Sequence, residues 1–342
     1  KIEETELPFL YCNAIGGQDE LIFDGQSMAF SSEGALIAYG QAFKEEIVMV
    51  NLESKTNINI KMQSKEEKMY NALCLGLSDY FVKTGHSEAV IGLSGGIDSA
   101  LVASIANDAL GSSKVHGISL PSKYSSDHSL VDARELANNL GIDYRIISIQ
   151  NAVDQIESLL HPHFLEMERD ITEENIQARV RGDLLMALSN KFGWMVLSTG
   201  NKTEIALGYC TLYGDMNGGL SVIADLGKSD VYALSNWINT KHPLRIPLST
   251  INKSPSAELA PNQVDPFDYN IVSPLVDKMI AADKTLDELV QSGVNQELVS
   301  RLYNKIRINE YKRRQSAPGL RVSSKAFGFG RRFPIVNHFK PE

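Results

Sequence analysis

Apolar and polar positions follow two regimes along this chain. Over residues 7–50 the apolar stretches are short, as in Leu21-Ile22-Phe23 and Ile47-Val48-Met49-Val50, and Gly16-Gly17, Asp24-Gly25 and Glu33-Gly34 separate them. That pattern predicts short strands joined by turns. Residues 51–63 are polar and read as a linker. Ser64 with Glu67 fits a capping box, and Met69, Leu73, Leu77 and Tyr80 follow at helical spacing. Beyond them, continuous apolar runs alternate with amphipathic ones. Strands are predicted over 89–93, 114–120, 144–149 and 194–199, and helices at about 98–110, 127–140 and 170–192. Gly111 and Gly141 stand where C-cap glycines belong. Such alternation predicts a parallel sheet covered on both faces, which binds ligands beyond the carboxyl ends of its strands. The remainder is mostly helical apart from the Gly/Asn/Pro-rich stretches 214–220 and 242–274, with no internal repeat. The expected fold is an α/β doubly wound parallel sheet with a helical C-terminal part and a short β-rich N-terminal segment. The expected division is residues 1–60 and 61–342.

Composition narrows the classes. The 342 residues are 43% hydrophobic and 22% charged, enough for a large core or two domains. No run of about 18 apolar residues predicts a membrane span, and KIEETELPFLY lacks the basic and apolar regions of a signal peptide. Cys12, Cys74 and Cys210 are few, odd in number and far apart, so no disulfide framework is expected and a reducing, cytoplasmic setting is favoured. A net charge of −9 argues against a general nucleic-acid binder. Residues 1–60 hold three lysines against ten acids, whereas Arg301–Arg332 holds ten Lys/Arg and only Glu310 as an acid. On charge alone that basic stretch reads as a solvated face.

The sharpest chemical signal is Ile91-Gly92-Leu93-Ser94-Gly95-Gly96-Ile97-Asp98-Ser99. It follows an apolar strand and leads into a helix. Gly95 and Gly96 let backbone amides approach an anion, Ser94 and Ser99 add hydroxyls, and the helix N-terminus adds partial positive charge. Asp98 would repel phosphate, so a carboxylate there suits a Mg²⁺ ligand. The bland alternative, a capped strand-to-helix turn, fits an isolated Gly-Gly better than this full string.

SGGxDS in this setting resembles the PP-loop of the N-type ATP pyrophosphatases, which cleave ATP between its α- and β-phosphates. It is neither a Walker A loop nor GxGxxG. Ser198-Thr199-Gly200-Asn201-Lys202-Thr203-Glu204, then Gly208-Tyr209-Cys210-Thr211-Leu212-Tyr213-Gly214-Asp215, resembles the signature of NAD synthetases. Asp225-Leu226-Gly227-Lys228, Ser254-Pro255-Ser256-Ala257-Glu258-Leu259 and Tyr311-Lys312-Arg313-Arg314 extend the resemblance from about residue 65 to the C-terminus. It implies an adenine nucleotide alpha hydrolase-like fold that adenylates deamido-NAD with ATP and amidates it with ammonia, as the last step of NAD biosynthesis. Gly92, Leu93, Ser94, Gly95, Gly96, Ile97, Asp98, Ser99, Thr199, Lys228 and Ser256 match ATP-binding positions. Asp98 and Glu204 match Mg²⁺ ligands, and these two with Lys228 are the implied catalytic set. Asn175, Arg179, Glu204 and Lys312 match deamido-NAD positions, Asn175 and Arg179 sharing a helix face. Leu212 and Gly219 depart from the Lys and Asp of the ammonia-only branch, which bears on nicotinate-ring recognition.

Residues 8–30 resemble the last part of the nitrilase-like glutaminase domain of the glutamine-dependent branch. The resemblance implies a Glu, Lys and Cys triad upstream of this segment. The expectation is therefore a partial domain without glutaminase activity, with residues 1–55 exposing apolar surface. Cys12 reads as a small core residue, His161-Pro162-His163 as a helix end rather than metal ligands, and Trp194 and Trp237 as core. The family implies a homodimer or larger homo-oligomer, with no nucleic-acid or membrane partner. Competing expectations are another PP-loop amidotransferase such as a GMP synthetase, and a nucleotide-binding module without turnover. A tRNA thiolase would need reactive cysteines and a nucleic-acid surface.

Overall fold

The computed structural model describes residues 2–165, 167–261, 263–281 and 284–337. A short helix α1 (Ile2–Thr5) precedes strands β1 (Phe9–Tyr11), β2 (Ile15–Gln18), β3 (Leu21–Asp24), β4 (Met28–Phe30) and β5 (Leu36–Tyr39). Strands β1, β4 and β5 form a small antiparallel sheet, and β2 and β3 a hairpin. Strand β1 is an edge strand whose three apolar side chains are all exposed. Ile47–Val50, expected as a strand, is irregular, with Ile47 and Met49 about nine-tenths exposed. An apolar run with no neighbour to pair with gains nothing from extended backbone.

Helix α2 (Lys65–Thr84) is capped by Ser64, whose hydroxyl accepts from the Glu67 amide at 3.1 Å. The β2–β3 hairpin lies on this helix. The Gly17 amide donates to Asp79, and a Cβ on Gly16 would stand 2.6 Å from the same carboxylate, so backbone and helix meet only because the strand is glycine there.

Strands β6 (Ala89–Gly92), β7 (Val115–Ser119), β8 (Asp143–Ile146), β9 (Met195–Ser198) and β10 (Leu220–Ser221) make a parallel sheet in the order β10-β9-β6-β7-β8. Between them run α3 (Ile97–Leu110), α4 (Asp127–Leu140), α5 (Gln150–Leu160), α6 (Ile171–Phe192) and α7 (Lys202–Leu207). Successive side chains of β6 point to opposite faces: Ala89 and Ile91 pack with α2, α3 and α4, and Val90 packs with α5 and α6. The chain leaves β6 toward β7 and β8, then returns to place β9 on the other side. That reversal is the switch point at which open α/β sheets bind ligands. The parallel sheet and helix-rich C-terminal part agree with the expected fold class.

The last elements are α8 (Lys228–Lys241), α9 (Leu248–Asn252), α10 (Tyr269–Ala281), α11 (Leu286–Gln291), α12 (Gln296–Ile308) and α13 (Glu310–Arg313). Helices α7, α10, α11 and α12 share a second core around Val276, Ile280, Leu302 and Ile306. Helix α5, the two-residue β10 and the short α9 within 242–274 were not expected. Gly141 is a left-handed C-cap, whereas Gly111 has φ 91° and ψ 147° and turns the chain out of the helix. No described helix is long and apolar enough to cross a membrane.

Candidate active site

The loop 93–96 joins the carboxyl end of β6 to α3. Gly96 caps the helix, and Gly95 has φ +74°, a left-handed conformation that disfavours other residues. The hydroxyls face one another across the loop: Ser94 Oγ lies 3.3 Å from Ser99 Oγ and accepts from the Gly96 amide at 3.2 Å. The next helix crowds the loop, since a Cβ on Gly95 would stand 2.3 Å from the Ser129 carbonyl oxygen and 2.8 Å from its Cα. Gly95→Ala is therefore expected to displace the loop. It should lower stability by about 2–4 kcal/mol and weaken, at least tenfold, the ATP binding that the PP-loop resemblance implies. A calorimetric scan with an ATP titration checks this, and an unchanged Tm and affinity would contradict it.

Beside the loop, three elements bring charged side chains together. Asp98 opens α3, Glu204 lies in the first turn of α7 and Lys228 opens α8. The Lys228 ammonium donates to Asp98 at 2.6 Å and to Glu204 at 3.1 Å, and sits 5.0 Å from the centre of the Tyr269 ring. Asn201 ties the two acids. Its amide nitrogen donates to Asp98 at 2.8 Å, its oxygen accepts from the Glu204 backbone amide at 3.1 Å, and its own backbone amide donates to the Glu204 carboxylate at 3.4 Å. Asn201 and Glu204 are a capping box, so the device that starts α7 also aims Glu204.

Burial raises the Glu204 carboxyl to about 7, Lys228 pulling it back and Asp98 pushing it further up. Burial alone would lower the Lys228 ammonium, but Asp98 and Glu204 more than reverse this and raise it. Nearby, burial raises Asp215 to about 6, against the opposing hydrogen bond from the Thr211 amide.

These groups line a cavity of about 330 Å³ at the carboxyl edge of the sheet. Of the expected ATP-binding residues, Gly92, Leu93, Ser94, Gly96, Ile97, Asp98, Ser99, Thr199, Lys228 and Ser256 line it, and Gly95 lies behind, against Ser129. The Ser256 hydroxyl donates to the Gln263 carbonyl within its own loop. Asn175, Arg179 and Lys312 lie apart from the cavity lining and brace the segment 208–212. Asn175 accepts from the Thr211 hydroxyl at 2.7 Å, Arg179 donates to the Leu212 carbonyl at 3.2 Å, and Lys312 donates to the Gly208 and Cys210 carbonyls at 2.8 and 2.6 Å. Glu258, in a segment matched without an assigned role, accepts from the Ser126 amide and from the Ser126 and Ser129 hydroxyls. Cys12 is exposed rather than core. His161 and His163 are exposed in a single turn after α5, and among the described residues no cluster of three or more His, Cys, Asp or Glu is placed to hold a metal.

Asn201 and Arg181 are among the site residues that the sequence reading missed, as is Lys253. Asn201 had a legible signal, the Asn-x-x-Glu spacing of a helix start. Arg181, which lines the cavity, had none beyond its place in a helix.

Residues 69–316 match a family model described as NAD synthase. The glutamine-dependent NAD(+) synthetase of Synechocystis sp. is 44% identical over 98% of this chain and 62% of its own length. The structure of the glutamine-dependent NAD+ synthetase from Acinetobacter baumannii, solved with ADP, is 37% identical with a TM-score of 0.71, over 98% of this chain and 63% of that one. An NMN synthetase structure from Francisella tularensis is 27% identical with a TM-score of 0.62, over 72% of this chain and 95% of that one. The chain spans less than two thirds of the length of the curated relatives it matches first.

Proposed function

The chain belongs to the NAD synthase family, and we propose that its cavity converts deamido-NAD to NAD by adenylation with ATP followed by amidation. The observation that carries this reading is the Asp98–Lys228–Glu204 cluster beside the glycine loop, at the switch point of the parallel sheet. The nicotinate carboxylate oxygen attacks the α-phosphorus of ATP, the bond to the β-phosphate breaks, and pyrophosphate leaves. Ammonia then attacks the acyl carbon, the bond to the AMP oxygen breaks, AMP departs, and the nitrogen gives up one proton.

In this reading the residues 92–99 hold the leaving pyrophosphate through loop amides, the Ser94 and Ser99 hydroxyls and the start of α3. Asp98 and Glu204 fit Mg²⁺ as two hard oxygen ligands, because both reach a single cationic centre, now the Lys228 ammonium. Further ligands would come from phosphate and water, and the ion would neutralise phosphate charge. Thr199 and Ser256 line the cavity and in this reading contact ATP. Asn175, Arg179 and Lys312 position the segment 208–212 for the dinucleotide. No side-chain nucleophile is required, since placement and charge neutralisation supply the rate. Residues 1–60 are read as the end of a nitrilase-like unit and 61–342 as the synthetase unit, with ammonia as the nitrogen donor used by this stretch of chain and a homodimer as its assembly.

The test is product formation from ATP, Mg²⁺ and deamido-NAD, with ammonium or glutamine as donor and with the deamidated mononucleotide as a competing acid. NAD with ammonium alone supports the reading in full. NAD with glutamine as well would overturn the donor assignment. Faster amidation of the mononucleotide would move the chain toward its NMN synthetase neighbour. No product with any acid would leave a binding module.

A further inference from the structure

Among the described residues, three basic side chains line the cavity: Arg181, Lys228 and Lys253. Two are already neutralised. Lys228 is bound to Asp98 and Glu204, and Lys253 lies 3.3 Å from Asp132. Arg181 has no carboxylate within 4.0 Å among the described residues, and its one hydrogen bond to the protein runs from Nε to the Leu120 carbonyl at 2.9 Å. That bond fixes the guanidinium at the carboxyl end of β7 and leaves both terminal nitrogens without a partner among the described residues. Burial lowers the Arg181 guanidinium to about 10, against the opposing pull of the Glu258 and Asp215 carboxylates. An arginine at that value is still charged at neutral pH.

Helix geometry explains why the charge faces inward. Ala178, Arg181, Gly182 and Leu185 all line the cavity, at the i, i+3, i+4, i+7 spacing of one helix face. Arg179, two residues earlier, is exposed and serves the Leu212 carbonyl instead. Gly182 packs tightly, since a Cβ there would stand 2.8 Å from the Gly214 carbonyl oxygen, so the helix cannot roll Arg181 out of place without moving that segment. A partly buried cation with two idle forked donors is costly unless an anion joins it. The guanidinium fork matches the paired oxygens of a phosphate.

We propose that Arg181 binds a phosphate group of the nucleotide ligands, as a phosphate-contacting residue of the reaction proposed above. It rests on that reading for the identity of the ligands. Two sources supply the same chemistry, the triphosphate of ATP and the diphosphate of the dinucleotide.

The test titrates ATP, inorganic pyrophosphate and deamido-NAD separately into the full chain, as wild type, Arg181→Gln and Arg181→Lys, with NAD formation measured alongside. Arg181→Gln should weaken at least one of the three ligands by about 10- to 100-fold. Its Tm without ligand should be unchanged or higher, because an uncompensated charge has gone. Arg181→Lys keeps the charge without the fork and should fall between the two. Loss for ATP and pyrophosphate assigns the contact to the triphosphate, and loss for the dinucleotide alone assigns it to the diphosphate. Wild-type affinity for all three ligands in Arg181→Gln, with NAD still formed by the wild type, overturns this proposal and leaves the proposed function standing. A lower unliganded Tm with unchanged affinities overturns it too, in favour of a structural role. Wild type that binds none of the three overturns both.

Discussion

Asp98→Asn is expected to slow pyrophosphate release from ATP by about 10²- to 10³-fold while the chain stays folded. The asparagine keeps the side-chain shape and one oxygen for the bond from Asn201, now 2.8 Å, so local packing survives. It removes one of the two carboxylates that reach the Lys228 ammonium. On the proposed function the adenylation step then lacks a ligand for Mg²⁺, and Lys228 is drawn wholly to Glu204. A second signature separates this from general damage. Asp98 raises the Glu204 carboxyl, which stands at about 7, so the variant's Glu204 should titrate lower. Pyrophosphate release followed against pH reads both effects. Wild-type turnover in the variant would remove Asp98 from the chemistry.

Much of this site can be read from the sequence because its parts are local. The string from Gly92 to Ser99 couples a strand end, a left-handed glycine and a helix start, each a short-range event. The inner strands β6, β7 and β9 were legible because both of their faces are buried, as the fully buried Ala89, Val90 and Ile91 show. What escaped depends on distant partners. Strand β10 is two residues long and exists through its pairing with β9. Ile47–Val50 carries a strand's composition but no strand beside it. Arg179 and Arg181 look alike in sequence, and only the turn of α6 decides that one braces a carbonyl and the other faces the cavity. Asn175 and Arg179 share one face of α6 while Lys312 lies far along the chain, and their convergence on residues 208–212 follows from how α6 and α13 pack around that segment.

Lys228→Met should cost more stability than Asp98→Asn, with a pH dependence that identifies the cause. Lys228 is 2% exposed, and its methionine variant leaves Asp98 and Glu204 facing each other with no counter-charge. Breaking a buried ion cluster by removing one partner costs about 3–5 kcal/mol. Lys228 lowers the Glu204 carboxyl, so in its absence Glu204 rises beyond its present value of about 7. A carboxyl whose folded pKa lies above its unfolded value of 4.5 holds its proton longer in the folded state. Its stability contribution is complete below the unfolded value and is lost as pH rises through the folded one. The deficit of Lys228→Met should therefore be largest at alkaline pH and shrink as the solution is acidified toward the ordinary carboxylate range. Adding Glu204→Gln should restore much of the lost Tm at alkaline pH, because only Asp98 then remains charged, yet NAD formation should stay abolished in both variants. Thermal scans of the single and double variants across that range separate the possibilities. A deficit independent of pH would mean that Lys228 stabilises through packing against Tyr269 and its helix rather than through the two acids.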